Sequence, residues 1–424
     1  MPIDVVSLII FVVCIGIFIW DKLPMATTAI LGCVAMVIFG VCDFKTAFGQ
    51  FASSTVILTI GVMVIGAAIS ETGLAATIGA WIVKISKGSE IKLIIGTYLV
   101  SAFMSAFLTN SAVLAIFIPI IMGLSASNKN IRAKQLIMPI AYGCVIGGAS
   151  TLVGSTQQMT AQGLLEEAGL RTFKTFDFTL VGGILILLGL VYCLTLGRKI
   201  AKRIWKDDQA NEDVEYTVPE IEPKKGKARK IIMAVIFAAT VLFYITEWLP
   251  LAITSTAAAV LCIITGCITQ KKAISSVNWN IVGRLGGCLG LAKALEAAGG
   301  TDLIAKGFSA IVGDKLSPFV LFCILVLLIQ FSSEFMSNST AILIVLPIVI
   351  AIAPALGLNT YAFALGITIA SGTALSCPLA SSTLGMSMCV GYKFKDYFKY
   401  SIAFDIIAYL TIIIMVPLVY GLTI

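Results

Sequence analysis

Phe107-Leu-Thr-Asn-Ser-Ala-Val-Leu-Ala-Ile-Phe-Ile-Pro119 lies over Phe335-Met-Ser-Asn-Ser-Thr-Ala-Ile-Leu-Ile-Val-Leu-Pro347 without a gap, at an offset of 228 residues. Phe, Asn, Ser and Pro coincide. Working outward, an offset of 226 lays Ile19–Cys42 over Ile245–Ile268. Leu23-Pro24 then falls on Leu249-Pro250, Ala26 on Ala252, Thr28 on Thr254 and Gly40 on Gly266. Aliphatic residues coincide easily between apolar segments, but Pro, Asn and Gly do not. The chain therefore reads as a duplication.

The medium for which it is built follows from composition. Of 424 residues, 59% are hydrophobic and only 12% charged, about half the charge of a soluble domain. Ile3–Trp20 and Ile402–Leu422 each approach the roughly 20 apolar residues that cross a bilayer. Several such runs recur, which specifies an all-α, polytopic membrane protein. The first run follows Met-Pro-Ile-Asp with no basic segment and no small-residue cleavage site, so it is expected to be retained. The eleven cysteines are scattered through apolar runs without a Cys-x-x-Cys pair and read as reduced packing residues. There is no histidine, which excludes His-based zinc sites and imidazole proton relays.

One hydrophilic stretch, Arg198–Lys230, holds ten Lys/Arg, seven Asp/Glu and two prolines. It divides the chain into a first repeat over 1–197, a linker over 198–230 and a second repeat over 231–424. Each half is read as five crossings plus one re-entrant hairpin. The first-half crossings are 3–20, 24–42, 54–86, 134–165 and 179–197, with the hairpin at 91–123. The second-half crossings are 231–249, 251–268, 277–312, 359–390 and 402–422, with the hairpin at 318–352. An odd number of crossings inverts one half relative to the other. With the linker placed inside, 22 Lys/Arg fall inside and 5 outside, while Arg284 and Lys293 lie within a span. This asymmetry satisfies the positive-inside rule and places the linker in the cytoplasm.

Four places demand a break in helical backbone. Two are the hairpin tips Thr109-Asn110-Ser111 and Ser337-Asn338-Ser339-Thr340. The others are the Gly/Ser/Thr-rich stretches 147–158 and 371–383, which interrupt apolar spans at corresponding positions. Such backbone is affordable at membrane depth only when it is buried in protein or lines a wet cavity. Unwound carbonyls with Asn and Ser side chains suit a sodium ion, and the N-termini of half-helices suit an anion. Matched interruptions in two inverted halves point to a transporter's midplane site. Ser, Thr and Gly also serve ordinary helix contacts in membranes. Asn110 and Asn338 carry more weight, because an amide in lipid is costly.

Glu334 is read either as orienting the second tip or as reaching the outer interface. Glu71 and Glu296 are expected at interfaces, and Asp405 close to the inner surface. Arg284 and Lys293 are expected to approach a cavity, with Lys293 also able to snorkel. The tips show no obvious Arg clamp, and no group of buried carboxylates suggests a proton relay. A channel would favour rings of charge along a continuous pore, and an enzyme would need a buried nucleophile–base or metal constellation. Neither pattern is present, which leaves a secondary transporter of a small anion.

The paired Asn tips, the phrase Glu334-Phe-Met-Ser-Asn338 and the Gly154-Ser155 loop resemble the divalent anion/sodium symporters, within the wider ion transporter superfamily. The resemblance spans nearly the whole chain. It differs in the tips, Thr-Asn-Ser and Ser-Asn-Ser where the family usually has Ser-Asn-Thr, and at Thr156-Gln157-Gln158, where the family has Pro-Pro-Asn. It implies a homodimer in the cell membrane, with a scaffold domain and a mobile transport domain working as an elevator. It further implies import of dicarboxylates, citrate or sulfate with sodium ions. By the resemblance, Asn110, Ser111, Ser155, Asn338, Ser339 and Ser381 contact the substrate. Thr109, Asn110, Gly154, Ser337, Asn338 and Ala380 hold sodium. A sodium-independent anion exchanger or oxyanion carrier on the same scaffold is the alternative.

Overall fold

The computed structural model describes residues 2–20, 23–86, 89–127, 131–205, 226–301, 303, 304, 306, 317–378 and 381–423. Regular structure among them is helical, and β-pairing is limited to an isolated bridge between Leu358 and Thr423. Helices of the two halves start and stop at matched positions. Met25–Ile38 and Leu251–Ile264 each follow a proline, Pro24 or Pro250, in extended conformation. Proline suits this place because a first-turn N–H has no helical partner to lose. Both helices end before a left-handed glycine, Gly40 (φ 69°) or Gly266 (φ 70°), a conformation that disfavours any residue with a Cβ. Asn110–Ser127 and Asn338–Ala355 coincide at both ends and carry Pro119 and Pro347 inside them.

Two helices form the centre. Every residue from Leu136 to Gly148 of Ala133–Gly148 is buried, and so is every residue from Tyr361 to Ser371 of Thr360–Ser371. A helix apolar all round belongs in such a place. The hairpin arms Glu90–Ser105 and Asn110–Ser127 pack on the first, while Pro318–Phe335 and Asn338–Ala355 pack on the second. Thr179–Leu194 and Phe394–Tyr420 complete this group. A second group comprises Met25–Ile38 against Trp279–Ala297, and Ser54–Thr72 against Leu251–Ile264. Thr156–Glu167 touches both groups.

Outer helices turn apolar side chains outward. Ile231, Val235, Leu242 and Ile245 on Lys227–Thr246 are each more than half exposed, a face that hydrocarbon, not water, would cover. Four stretches, Phe44–Thr72, Lys227–Thr246, Pro318–Phe335 and Phe394–Tyr420, are long and apolar enough to cross a bilayer. Thr179–Leu194 with Leu196–Ile204, bent by 45°, is a fifth. The chain is a multi-pass, all-helical membrane protein.

Several expected boundaries move. The span expected at 54–86 is divided by left-handed Gly73 (φ 71°) into Ser54–Thr72 and Leu74–Ser86. Helix Trp279–Ala297 meets its counterpart Gly299 (φ 77°), and residues 302, 305 and 307–312 of the expected span 277–312 lie outside the described residues. The last helix begins at Phe394 rather than near 402, because Asp396 caps its first turn. The linker is shorter than its composition suggests. Leu196–Ile204 is a basic helix, and Lys227–Lys230 open the next one. Arg198 binds Glu90 at 2.9 Å and 3.3 Å, and these hydrogen bonds hold the Glu90 carboxyl below its ordinary value. Residues 206–225 lie outside the described residues.

Candidate functional site

Both central helices unwind at their C-terminal ends, and the chain re-enters helical form at Ser155–Thr156 and at Ser381–Ser382. The two hairpins bring Asn110 and Asn338 to the same level as helix starts. All four starts face one cavity of about 670 Å³ between the two helix groups. Thr109, Asn110, Ser111, Gly154, Ser155, Ser337, Asn338, Ser339 and Ser381 all line it. Every site residue expected from the sequence is thus brought together except Ala380, which lies outside the described residues.

The halves interlock across the cavity. Ser111 Oγ lies 2.8 Å from Ser382 Oγ and 3.3 Å from Thr383 Oγ1. In the other direction Thr156 Oγ1 lies 3.0 Å from Ser339 Oγ. Each tip therefore rests on the half-helix that follows the other half's break.

The first tip is internally complete. Two carbonyls, Gly154 O at 3.2 Å and Cys144 O at 3.3 Å, require the amide nitrogen of Asn110 to face them. The same nitrogen lies 2.6 Å from Ser105 Oγ, and the amide oxygen accepts from Ser155 Oγ at 3.2 Å. Asn110 is a brace between hairpin and break. A Cβ on Gly148 would sit 2.1 Å from the Asn110 amide nitrogen and 2.6 Å from Ser155 Oγ, so close approach requires glycine there. A Cβ on Gly154 would meet the carbonyls of Gly148 at 2.6 Å and Ser105 at 2.8 Å.

The second tip is not complete. Ser337 caps Asn338–Ala355 by accepting from Thr340 N at 3.3 Å. Asn338 is buried, yet its Oδ1 has no hydrogen-bond partner among the described residues. Ser333 Oγ, the counterpart of Ser105 Oγ at the offset of 228, is likewise buried and unpartnered. Buried oxygens without donors are rare in folded proteins, and these two belong to the half whose tip is left open. Gln157 adds a buried donor without a partner, Nε2, on the cavity wall.

Several expectations about charge are corrected. Arg284 does reach the cavity, and it is the single charged side chain among the described lining residues. Its Nη1 donates to Ser337 Oγ at 3.4 Å. The tips therefore do face a guanidinium, supplied by the other helix group. Asp405 is buried rather than interfacial. It accepts from Leu375 N at 3.2 Å and from the Ser376 hydroxyl. Glu334 turns to the same loop and accepts from Ser376 N at 3.2 Å. The two carboxyls thus accept from consecutive residues of one loop, contrary to the expectation that no buried acids would group. Glu334 Oε2 has no hydrogen-bond partner among the described residues. Lys293 is not among the described residues that line this cavity. It donates to Glu167 O at 2.7 Å and pairs with Glu296 at 3.2 Å.

Comparison with known proteins agrees with this architecture. The family described as citrate transporter matches residues 15–368 and again 244–424. YfbS of Escherichia coli, an uncharacterized transporter, is 29% identical over 184 residues, covering 43% of this chain and 30% of that protein. The sodium-dependent dicarboxylate transporter SdcS of Staphylococcus saprophyticus is 22% identical over 398 residues, covering 86% of this chain and 76% of that protein. The crystal structure of the Alcanivorax borkumensis YdaH transporter superposes with a TM-score of 0.63 at 14% identity. It covers 96% of this chain and 98% of that one, so the fold is shared along nearly the whole length.

Proposed function

This chain belongs to the citrate transporter family, and from that premise we propose that it imports a small dicarboxylate, tricarboxylate or sulfate-like anion by sodium symport, with elevator-type alternating access. The observation that carries the reading is the cavity between two helix groups, walled by four helix starts and by neutral oxygens from both halves. N–H groups and dipole ends at helix starts favour an anion. Oxygens such as Asn338 Oδ1 and Ser333 Oγ, buried without donors, suit a hard cation. A dianion in mainly neutral surroundings needs countercharge, and co-bound sodium supplies it.

The two halves are inverted repeats over 1–197 and 231–424, and the linker is cytoplasmic. The charge asymmetry of 22 to 5 supports this topology in the cell membrane. The group built on the two central helices carries the tips and breaks and moves as one body. The other group is the scaffold, through which the resemblance implies dimerisation. The named activity of SdcS supports sodium as the coupling ion and carboxylates as substrates.

Uptake into proteoliposomes from a panel of anions tests the reading. Accumulation requires external sodium and accelerates at inside-negative potential, where about 100 mV contributes about 2.3 kcal/mol per net charge moved. A tenfold sodium gradient adds about 1.4 kcal/mol per ion. Equal uptake in choline, dependent only on anion loaded on the far side, would replace symport with exchange.

A further inference from the structure

Arg284 is a charge without a charged partner. It sits within Trp279–Ala297, and no carboxylate pairs with it among the described residues. A guanidinium offers five donors in a fixed fork, and the one side-chain bond described for it is the contact of 3.4 Å to Ser337 Oγ. An uncompensated cation at membrane depth is expensive and marks a functional position. The other described lining residues are neutral, so no fixed negative charge among them compensates it. The missing countercharge must come from the cavity's occupant.

Its position adds a second constraint. The helix starts at Asn110, Thr156 and Asn338 belong to elements that pack around the central helices, whereas Arg284 belongs to the facing group. Groups of both kinds face one volume. Helix N-termini and hydroxyls hold one carboxylate by neutral hydrogen bonds. A fork that matches carboxylate geometry takes another.

Resting on the reading of this cavity as an anion site, we infer that Arg284 binds one charged end of a two-ended anion whose other end lies on the tips. The substrate class is a dicarboxylate or larger polycarboxylate, and the monocarboxylate of equal length is discriminated against. Because Arg284 stands on the facing group, it engages the anion while the tips face that wall.

Equilibrium binding of succinate and butyrate to the purified protein in sodium buffer decides the matter. Wild type binds succinate more tightly. In Arg284→Gln, succinate binding weakens about 10- to 100-fold while butyrate binding changes less than about twofold, so the preference collapses. Arg284→Lys keeps the charge without the fork and folds more readily, and there the preference falls by about three- to tenfold. An unchanged succinate-to-butyrate ratio in either folded variant overturns the inference while leaving the anion site intact. A wild type that binds sulfate but neither succinate nor citrate overturns this inference alone, and one that binds none of these anions overturns the anion-site reading with it.

Discussion

Ser111 hydrogen-bonds Ser382 across 271 residues of sequence, and the contact recurs in its duplicate. Ser339 and Thr156, their counterparts at offsets of 228 and 226, lie 3.0 Å apart. Each half thus supplies a tip to the other's broken helix, so neither half forms the cavity alone. Around this shared frame the halves have diverged. The first ties its tip shut with neutral groups, and the second leaves Asn338 Oδ1 unpartnered and brings two acids to its break.

That divergence separates the two asparagines. Asn110→Ala strips donors and an acceptor from a completed network, and destabilises the protein by about 1–3 kcal/mol. Asn338→Ala removes an oxygen that bonds nothing internally, and costs about 1 kcal/mol or less. Thermal unfolding in detergent distinguishes them. Both variants lose uptake, Asn338→Ala with nearly normal melting. Equal melting losses would mean that Asn338 braces the fold as firmly as Asn110 does.

Gly148→Ala places a methyl 2.1 Å from the Asn110 amide nitrogen. The tip must move away or the helix must shift, at about 1–3 kcal/mol for an overpacked site. Uptake falls well below wild type in Gly148→Ala, whereas Gly183→Ala, with nothing within 4 Å of its Cβ, behaves as wild type. Normal uptake by Gly148→Ala would show the tip to be loose.

The duplicated frame was legible because its signals are local and stiff. Pro24 and Pro250, Gly40 and Gly266, and the two Asn tips fix backbone conformation whatever surrounds them. The Gly/Ser/Thr breaks were legible for the same reason. The charges were not, since their meaning depends on partners distant in sequence. Asp405 lies one turn beyond Ser401 in a helix whose start near Lys399 suggested the membrane surface, but that helix begins earlier, at Phe394. Its partners Leu375 and Ser376 are 30 and 29 residues away. Repeat logic gave no help either. Thr179, the counterpart of Asp405 at an offset of 226, donates to Ser150 O instead. Arg284 was placed near a cavity, but its facing of Ser337 across two helix groups has no local signature.

Two buried carboxyls that converge on Leu375 and Ser376 are expected to share one proton, since both cannot readily ionise so close together. Asp405→Ala leaves Leu375 N and the Ser376 hydroxyl without acceptors and destabilises by about 2–3 kcal/mol. Glu334→Gln keeps a hydrogen-bond donor toward Asp405 and costs about 1 kcal/mol or less, since one of the two carboxyls is already neutral. Melting temperatures of the two variants follow this order. A Glu334→Gln loss as large as that of Asp405→Ala would mean both acids are ionised.

At the foot of the first hairpin, the Glu90–Arg198 pair docks the start of the linker. Glu90 is held below its ordinary value of 4.5 by Arg198. Its contribution is therefore present above that value and lost as pH falls through the lower, folded one. Both side chains are partly exposed, so Glu90→Gln costs about 1 kcal/mol or less at neutral pH. The difference from wild type shrinks to nothing in acid. A gap that persists there would assign it to packing.

The proposed elevator motion makes the sharpest demand, because it would require the tips to leave the scaffold wall in every cycle. Met25 belongs to the scaffold group, and its Sδ lies 3.6 Å from Thr340 Oγ1 on the second tip helix. On a cysteine-free background, Met25→Cys with Thr340→Cys places two thiols across the moving boundary. A short bis-thiol cross-linker then joins them, and uptake stops until the linkage is cleaved by reduction. Ser111→Cys with Ser382→Cys is the matched control, since both residues lie in elements of the moving group. Cross-linking that pair perturbs the site without tying the two groups together, so it leaves the protein able to shuttle between inward and outward exposure of its tips. Accessibility of a third cysteine near Ser276, read with an impermeant reagent from each side, separates arrest from a damaged site. If the Met25–Thr340 cross-link leaves uptake and two-sided accessibility unchanged, the groups do not part during transport. Access would then have to alternate by a local gate at the tips.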